Sequence, residues 1–348
     1  MKKIKEIFLK IKTFLPKSWL FWSMIFFIIG VIIIFLIASI VLFKQQLFRS
    51  TATVNQSDFI KYYRIIDGQS VSSEKVNLRP IAVMIENHVD SRPASGLDQA
   101  SIIYESVVEG DITRFLAIFP GDFTAKKIGP VRSARPFFIE LAKEWQPVYL
   151  HSGGSPEALS ILKQADDLYN LDEISANGIY FWRNYQRVAP HNLYTSADLV
   201  NRAVSAKGIA TTTDILAWQF KNDSPVDQPT DQDILVDLST DDNYNPTFHY
   251  NQQTNDYTRY INGQVDKTTD GVFLKTKNLV LQYVRHRVID DYGRLSVDLD
   301  SGGRADVYQD GVKIEGSWRK VDGRTYFYNQ QNEEVKFNRG KIWIGLVF

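Results

Sequence analysis

The strongest departure from ordinary patterning comes near the start. Residues 20–43 are apolar throughout except at Ser23, Gly30 and Ser39. As a helix, a run of about 24 residues at about 1.5 Å each reaches about 36 Å, enough to cross a hydrocarbon layer of about 30 Å with some tilt. Lys2, Lys3, Lys5, Lys10, Lys12 and Lys17 precede it with Glu6 as their one acid, whereas Lys44 and Arg49 follow it. Basic flanks stay on the cytoplasmic side. The pattern predicts a cytoplasmic basic segment at 1–19, a single transmembrane anchor at 20–43 and an extracytoplasmic remainder. The competing reading is a cleaved signal peptide. Its apolar core is usually about 7–15 residues and ends at small residues; here the run is longer and closes on Val41, Leu42, Phe43 and Lys44.

Beyond the anchor the pattern changes twice. Residues 44–74 are polar with little periodicity and read as a stalk, and residues 75–220 alternate strands with helices. An apolar run at 80–85 suits a buried strand, and 101–109 with 112–119 form a hairpin around Gly110 and Asp111. Ser133 can cap a helix over 134–144, where Phe137, Phe138, Leu141 and Trp145 recur at helical spacing. A strand at 147–151 leads to a second helix opened by Ser155 and Pro156, and a third spans 196–206 before Gly208. Residues 221–234 are a linker. Residues 235–348 turn β-rich, with strands near 246–250, 257–261, 279–284 and 325–328. Asn262-Gly263, Asp270-Gly271, Asp310-Gly311 and Asp322-Gly323 supply hairpin turns.

Charge and cysteine content narrow the function classes. Of 40 basic and 40 acidic residues, 7 and 1 fall in residues 1–44, so the remainder holds 33 against 39 and carries about −6. With no basic stripe, nucleic acid is excluded as a partner. The chain has no cysteine, which removes disulfides, thiolate metal sites and a lipid-modified cysteine as the anchor.

The richest segment chemically is 127–135. A Gly129-Pro130 turn enters the helix that Ser133 caps, with Arg132 and Arg135 beside the cap and Arg114 on the preceding strand. Backbone N–H groups at a helix start and arginine forks suit an anion; the alternative is that these arginines pair with Glu105, Glu109 and Glu140. Glu105 and Glu109 share a strand face, but four residues span about 13 Å, too far to act together as an acid–base pair. His151 ends a strand opposite a helix start, and His191 with Asn192 offers a second imidazole and an amide. Together with Glu86, Glu105 or Glu109 these histidines suit a general base or a metal, although no metal is assigned and no cofactor motif is present. Tyr180, Phe181 and Trp182, followed by Arg183, Tyr185 and Arg187, suit sugar rings or half-exposed core packing.

Several of these stretches carry a resemblance. Arg79-Pro-Ile-Ala-Val-Met-Ile-Glu-Asn87, Thr113-Arg-Phe-Leu-Ala117, Ile128-Gly-Pro-Val-Arg-Ser-Ala-Arg135, His151-Ser-Gly-Gly-Ser-Pro156, Pro190-His-Asn-Leu-Tyr-Thr195, Gly316-x-Trp318 and Ile342-Trp-Ile344 resemble the YerB-like family of exported bacterial proteins. The resemblance spans residues 70–348. It implies an α+β ectodomain built as a layered β-β-α sandwich in N- and C-terminal parts, and no established reaction. Lacking cysteine, this chain departs from the lipid anchor the family implies. The combined expectation is a single-pass cell-membrane protein with an extracytoplasmic globular part. Its partner is an anionic or glycan envelope polymer held by Arg114, Arg132, Ser133, Arg135, His151, His191 and Asn192. The rivals are a hydrolase or transferase drawing on Glu105, Glu109, His151 and His191, and a scaffold for another envelope protein.

Overall fold

A computed structural model describes residues 19–52 and 61–348, so the basic segment before Trp19 lies outside the described residues. Helix α1 (Trp19–Ala52) contains one stretch, Phe21–Gln45, long and apolar enough to cross a membrane. It runs past the expected end of the anchor, so residues 44–52 are helical rather than irregular stalk.

A second compact unit spans Lys61–Phe348. Residues 61–74, expected in the stalk, already belong to it. Tyr62–Tyr63 pairs with Ser70–Val71, Ile66 is buried, and Asp67 accepts hydrogen bonds from Arg64 and Ser101.

The unit is mixed α/β with one large mixed sheet. Its first strands are β1 (Ile81–Glu86), β2 (Ile102–Val107), β3 (Thr113–Phe119), β4 (Val148–His151) and β5 (Tyr169–Asp172). A smaller sheet follows: β6 (Asp233–Leu235), β7 (Thr247–Asn251), β8 (Asp256–Ile261), β9 (Gln264–Val265) and β10 (Lys275–Thr276). The chain then returns to the large sheet as β11 (Asn278–Tyr283), β12 (Gly303–Gln309), β13 (Val312–Val321), β14 (Arg324–Asn329) and β15 (Ile342–Val347). The order is β14-β13-β12-β11-β15-β2-β3-β1-β4-β5. Strand β15 lies parallel to both neighbours, Val280 facing Ile344 and Ile344 facing Tyr104, so one sheet runs through both the α/β and the β-rich parts of the chain.

Strands β1, β2 and β3 are buried at every position because both faces of the sheet are covered. Alternation sorts their side chains. Val83, Ile85, Phe115, Ala117, Leu279 and Trp343 pack with Phe248, Tyr257 and Leu274 around the smaller sheet, and with Val200 and Ala203 of helix α4. Met84, Leu116, Ile118, Val280 and Ile344 take the opposite face, with Phe138 and Leu141 of α2 and Ala158 and Leu162 of α3. Here α2 is Pro136–Lys143, α3 is Pro156–Gln164 and α4 is Ala197–Ala206.

Two local expectations change. Helix α2 starts at Pro136, not Ala134, and Ser133 does not cap it. Proline favours the first helical position and pushes the residue before it into extended geometry; Arg135 sits there at φ −132°, ψ 150°. Of the four hairpin dipeptides, Asn262-Gly263, Asp310-Gly311 and Asp322-Gly323 have positive φ at both positions, as a type I′ turn requires. At Asp270-Gly271 only the glycine does, and the turn closes a wider loop bridged by Lys267 and Phe273.

Candidate functional site

Three segments meet at the carboxyl end of β1. Glu86 is its last residue and is followed by His88 and Asp90 on a short 3-10 turn, Val89–Ser91. The 128–135 segment runs alongside, with Pro130 accepting from the Glu86 N–H and Met84 accepting from the Arg132 N–H. His191 arrives from the loop before Leu193–Tyr194, whose Leu193 carbonyl accepts from the Val131 N–H. Backbone pairing therefore fixes all three segments before any side chain contributes.

Glu86 ties them together. Its Oε1 lies 3.0 Å from Arg132 Nε and its Oε2 2.9 Å from His191 Nδ1. The carboxylate is buried (4 % exposed), whereas Arg132 and His191 reach the surface. The terminal nitrogens of Arg132 and the hydroxyl of Ser133 have no protein hydrogen bond among the described residues. The His191 ring stacks on His88, centroids 5.0 Å apart and planes 21° from parallel. Donor atoms of His88, Asp90 and His191 lie within 4.8 Å of one another.

The neighbouring arginines are committed. Arg135 forks onto Glu109, its Nε 2.8 Å from Oε2, and donates to the Ala134 carbonyl. Burial would raise the Glu109 carboxyl, but the Arg135 hydrogen bond and charge outweigh it and bring it below the usual range. Arg114 is buried and donates to the Ser133 carbonyl at 2.8 Å. Burial, and after it the Arg135 cation, pulls its guanidinium below the ordinary range.

The remaining sequence candidates lie apart from this edge. Glu105 is fully buried on the small-sheet side, where it accepts from Arg259 (2.8 Å), Trp343 (3.0 Å), Asn87 (3.1 Å) and Thr113 (3.3 Å). Burial pushes its carboxyl up, and Arg259 and Arg92 oppose that rise. His151 is also fully buried, Nδ1 at 2.7 Å from the Gly153 carbonyl and Nε2 at 2.7 Å from the Asn170 side-chain oxygen, and so fastens the turn after β4. Asn192 accepts from Arg183 and donates to the Arg187 carbonyl. Of the aromatic run, Tyr180 and Phe181 belong to the core, while Tyr185 is 89 % exposed. Glu105, Glu109, His151 and His191 thus do not converge. The carboxylate beside His191 is Glu86, and His88 and Asp90, which sequence reasoning passed over, complete the neighbourhood. Their one sequence signal is a His-x-Asp spacing directly after a buried strand.

Residues 67–210 match the N-terminal domain, and residues 236–344 the C-terminal domain, of a protein family of unknown function, DUF3048. The chain is 34% identical over 290 residues to a Bacillus subtilis (strain 168) protein named "Putative lipoprotein YerB", covering 81% of this chain and 85% of that one. It also resembles the crystal structure of YerB from Bacillus subtilis, with a TM-score of 0.75 and 31% identity over 82% of this chain and 97% of that one. By sequence and by fold, the chain belongs to the DUF3048 family of YerB-like proteins.

Proposed function

We propose that this is an exported, membrane-attached protein whose globular part binds an anionic or glycan component of the cell envelope at the carboxyl end of β1. Attachment rests on α1 and on the relative's name as a lipoprotein. With lysines before the apolar run and no cysteine in the chain, the helix itself is the anchor and the N-terminus is cytoplasmic. The smaller sheet on one face of the large sheet and α2 and α3 on the other support the layered β-β-α reading.

One observation carries the binding reading. Arg132 Nε lies 3.0 Å from Glu86 Oε1 in an ion pair without a hydrogen bond, and among the described residues the terminal nitrogens of this half-buried guanidinium have no protein partner either. Such a fork suits phosphate or carboxylate, and the hydroxyl of the next residue, Ser133, has no hydrogen bond among the described residues. The test is co-sedimentation of the detergent-solubilised full chain with cell-wall material carrying anionic polymers. Arg132→Ala is expected to weaken binding about ten-fold, the loss of one charge-assisted contact; unchanged binding overturns the assignment.

A second reading draws on His191. A histidine whose Nδ1 rests on a buried carboxylate has its other nitrogen free for proton transfer. In that reading the protein is a hydrolase or transferase of envelope polymers, with His191 as base and Glu86 as its orienting partner. Mass spectrometry of wall material incubated with the protein is then expected to show a product that His191→Gln abolishes.

A further inference from the structure

We infer that His88, Asp90 and His191 form a binding site for a divalent first-row transition cation, with zinc the best match, and that Glu86 is the outer carboxylate orienting His191. This goes beyond the anion-binding reading, although both involve the carboxyl end of β1.

The site is assembled from two distant stretches of chain. His88 and Asp90 follow β1 directly; in their turn His88 Nδ1 accepts from the Asp90 N–H at 3.2 Å, a bond that a metal on that nitrogen would replace, and the Asp90 carboxylate lies 3.5 Å from the same nitrogen. His191 comes from a loop 105 residues beyond Glu86 and is held by that residue. One donor atom from each of His88, Asp90 and His191 lies within 4.8 Å of the others. Bonds of about 2.0–2.2 Å in a tetrahedral site bring ligand atoms closer, to about 3.4 Å. Asp90, its side chain 71 % exposed, is free to supply that closure.

The second support is the Glu86 contact. A neutral imidazole with Nδ1 2.9 Å from a carboxylate carries its proton there, leaving the Nε2 lone pair outward. Histidines that bind metals are oriented by a carboxylate in this way. Arg132 on the other oxygen of Glu86 balances that charge, so Asp90 is the carboxylate left to meet a cation. Stacking alone explains two neighbouring imidazoles; it does not explain a buried carboxylate that fixes the tautomer of one and a second carboxylate at the nitrogen of the other.

The donor set selects the class of ion. Two imidazoles and one carboxylate suit zinc or its first-row neighbours, whereas calcium and magnesium take shells of oxygen. Three protein ligands leave a fourth position open, as in zinc sites that bind water or an incoming anion.

The experiment uses the full chain in detergent, stripped with a chelator and titrated with zinc against a chromophoric competitor. The expected result is one saturable zinc per chain, with affinity reduced at least ten-fold by each of His88→Gln, Asp90→Asn and His191→Gln. Glu86→Gln is expected to reduce it about 10- to 100-fold, as loss of an outer-shell partner does. Asp90 is exposed, so Asp90→Asn should leave the metal-free melting temperature unchanged, which separates lost ligation from lost folding. His249→Gln, at a histidine outside the cluster, should leave zinc affinity intact. Loss of zinc binding in Asp90→Asn with polymer binding retained supports this site independently of the anion reading. Absence of a saturable site, equal affinity for magnesium, or unchanged affinity in Asp90→Asn and His88→Gln overturns the inference.

Discussion

Glu105 and Glu86 are both buried carboxylates in the central strands of one sheet, and each holds an arginine, at 2.8 and 3.0 Å respectively. Their surroundings differ. Arg259, the partner of Glu105, is itself fully buried, set against the rings of Phe115 and Trp343 and bonded on its other side to Asp266. Every group facing Glu105 is an interior donor: a guanidinium, an indole, an amide and a hydroxyl. The partners of Glu86 both extend to solvent and, among the described residues, keep part of their bonding capacity unused. A carboxylate whose partners are all interior fastens two layers together; one whose partners reach outward presents them. Burial of the partners, more than of the acid, separates the structural ion pair from the candidate site.

That contrast breaks most visibly under truncation. Glu105→Ala takes from a fully buried guanidinium one of its two carboxylates, leaving Asp266 alone to balance it, and removing one member of a buried pair costs about 3–5 kcal/mol. The same change at Glu86 leaves Arg132 and His191 able to rehydrate, so a loss of about 1 kcal/mol is expected. Urea unfolding of both variants measures the difference. Equal losses would mean that the Glu86 cluster is a second internal fastener and not a presented site.

The two regions were unequally legible in the sequence. The apolar run of α1, the buried strands β1 and β3, the helix opened by Ser155 and Pro156, and the three type I′ hairpins rest on local periodicity and turn chemistry, and each lies where local rules put it. What escaped is non-local. Nothing near Glu105 announces Arg259, 154 residues away, and nothing in 342–347 announces that it slots between β11 and β2. Sequence leaves Arg135 open between an anion and Glu105, Glu109 or Glu140; the fold settles it on Glu109, two positions beyond β2. His151 looked available at a strand end because sequence does not show that Gly153 and Asn170 close over it. At the candidate edge, the arginine and the second histidine are visible as residue types, and Glu86 is one of three acids that could serve the histidine; that it is the partner of both follows only from β1, 131–132 and 191 lying side by side.

The smallest expected effect sharpens the comparison from the acid side. Glu109 is held below the usual carboxyl range, so relative to an unfolded value of about 4.5 the folded chain binds its proton less readily. A depressed carboxyl contributes stability that is complete above its unfolded pKa and is lost as pH falls through the folded one. Its side chain is 25 % exposed, and solvent screening limits such a pair to below about 1 kcal/mol. Glu109→Gln is therefore expected to lower stability slightly at neutral pH and to flatten its decline on acidification, with both chains converging at low pH. Unfolding free energies between about pH 3 and about pH 7 measure this. Glu105 has the opposite sign, because burial raises its carboxyl: its contribution is complete below the unfolded value and is lost as pH rises through the folded one. A Glu109→Gln profile parallel to that of the unaltered chain would show that the Arg135 fork is solvated in solution. Arg135 would then stand with Arg132 among the cations this edge presents, and the boundary between fastened and presented charge would move one turn along the chain.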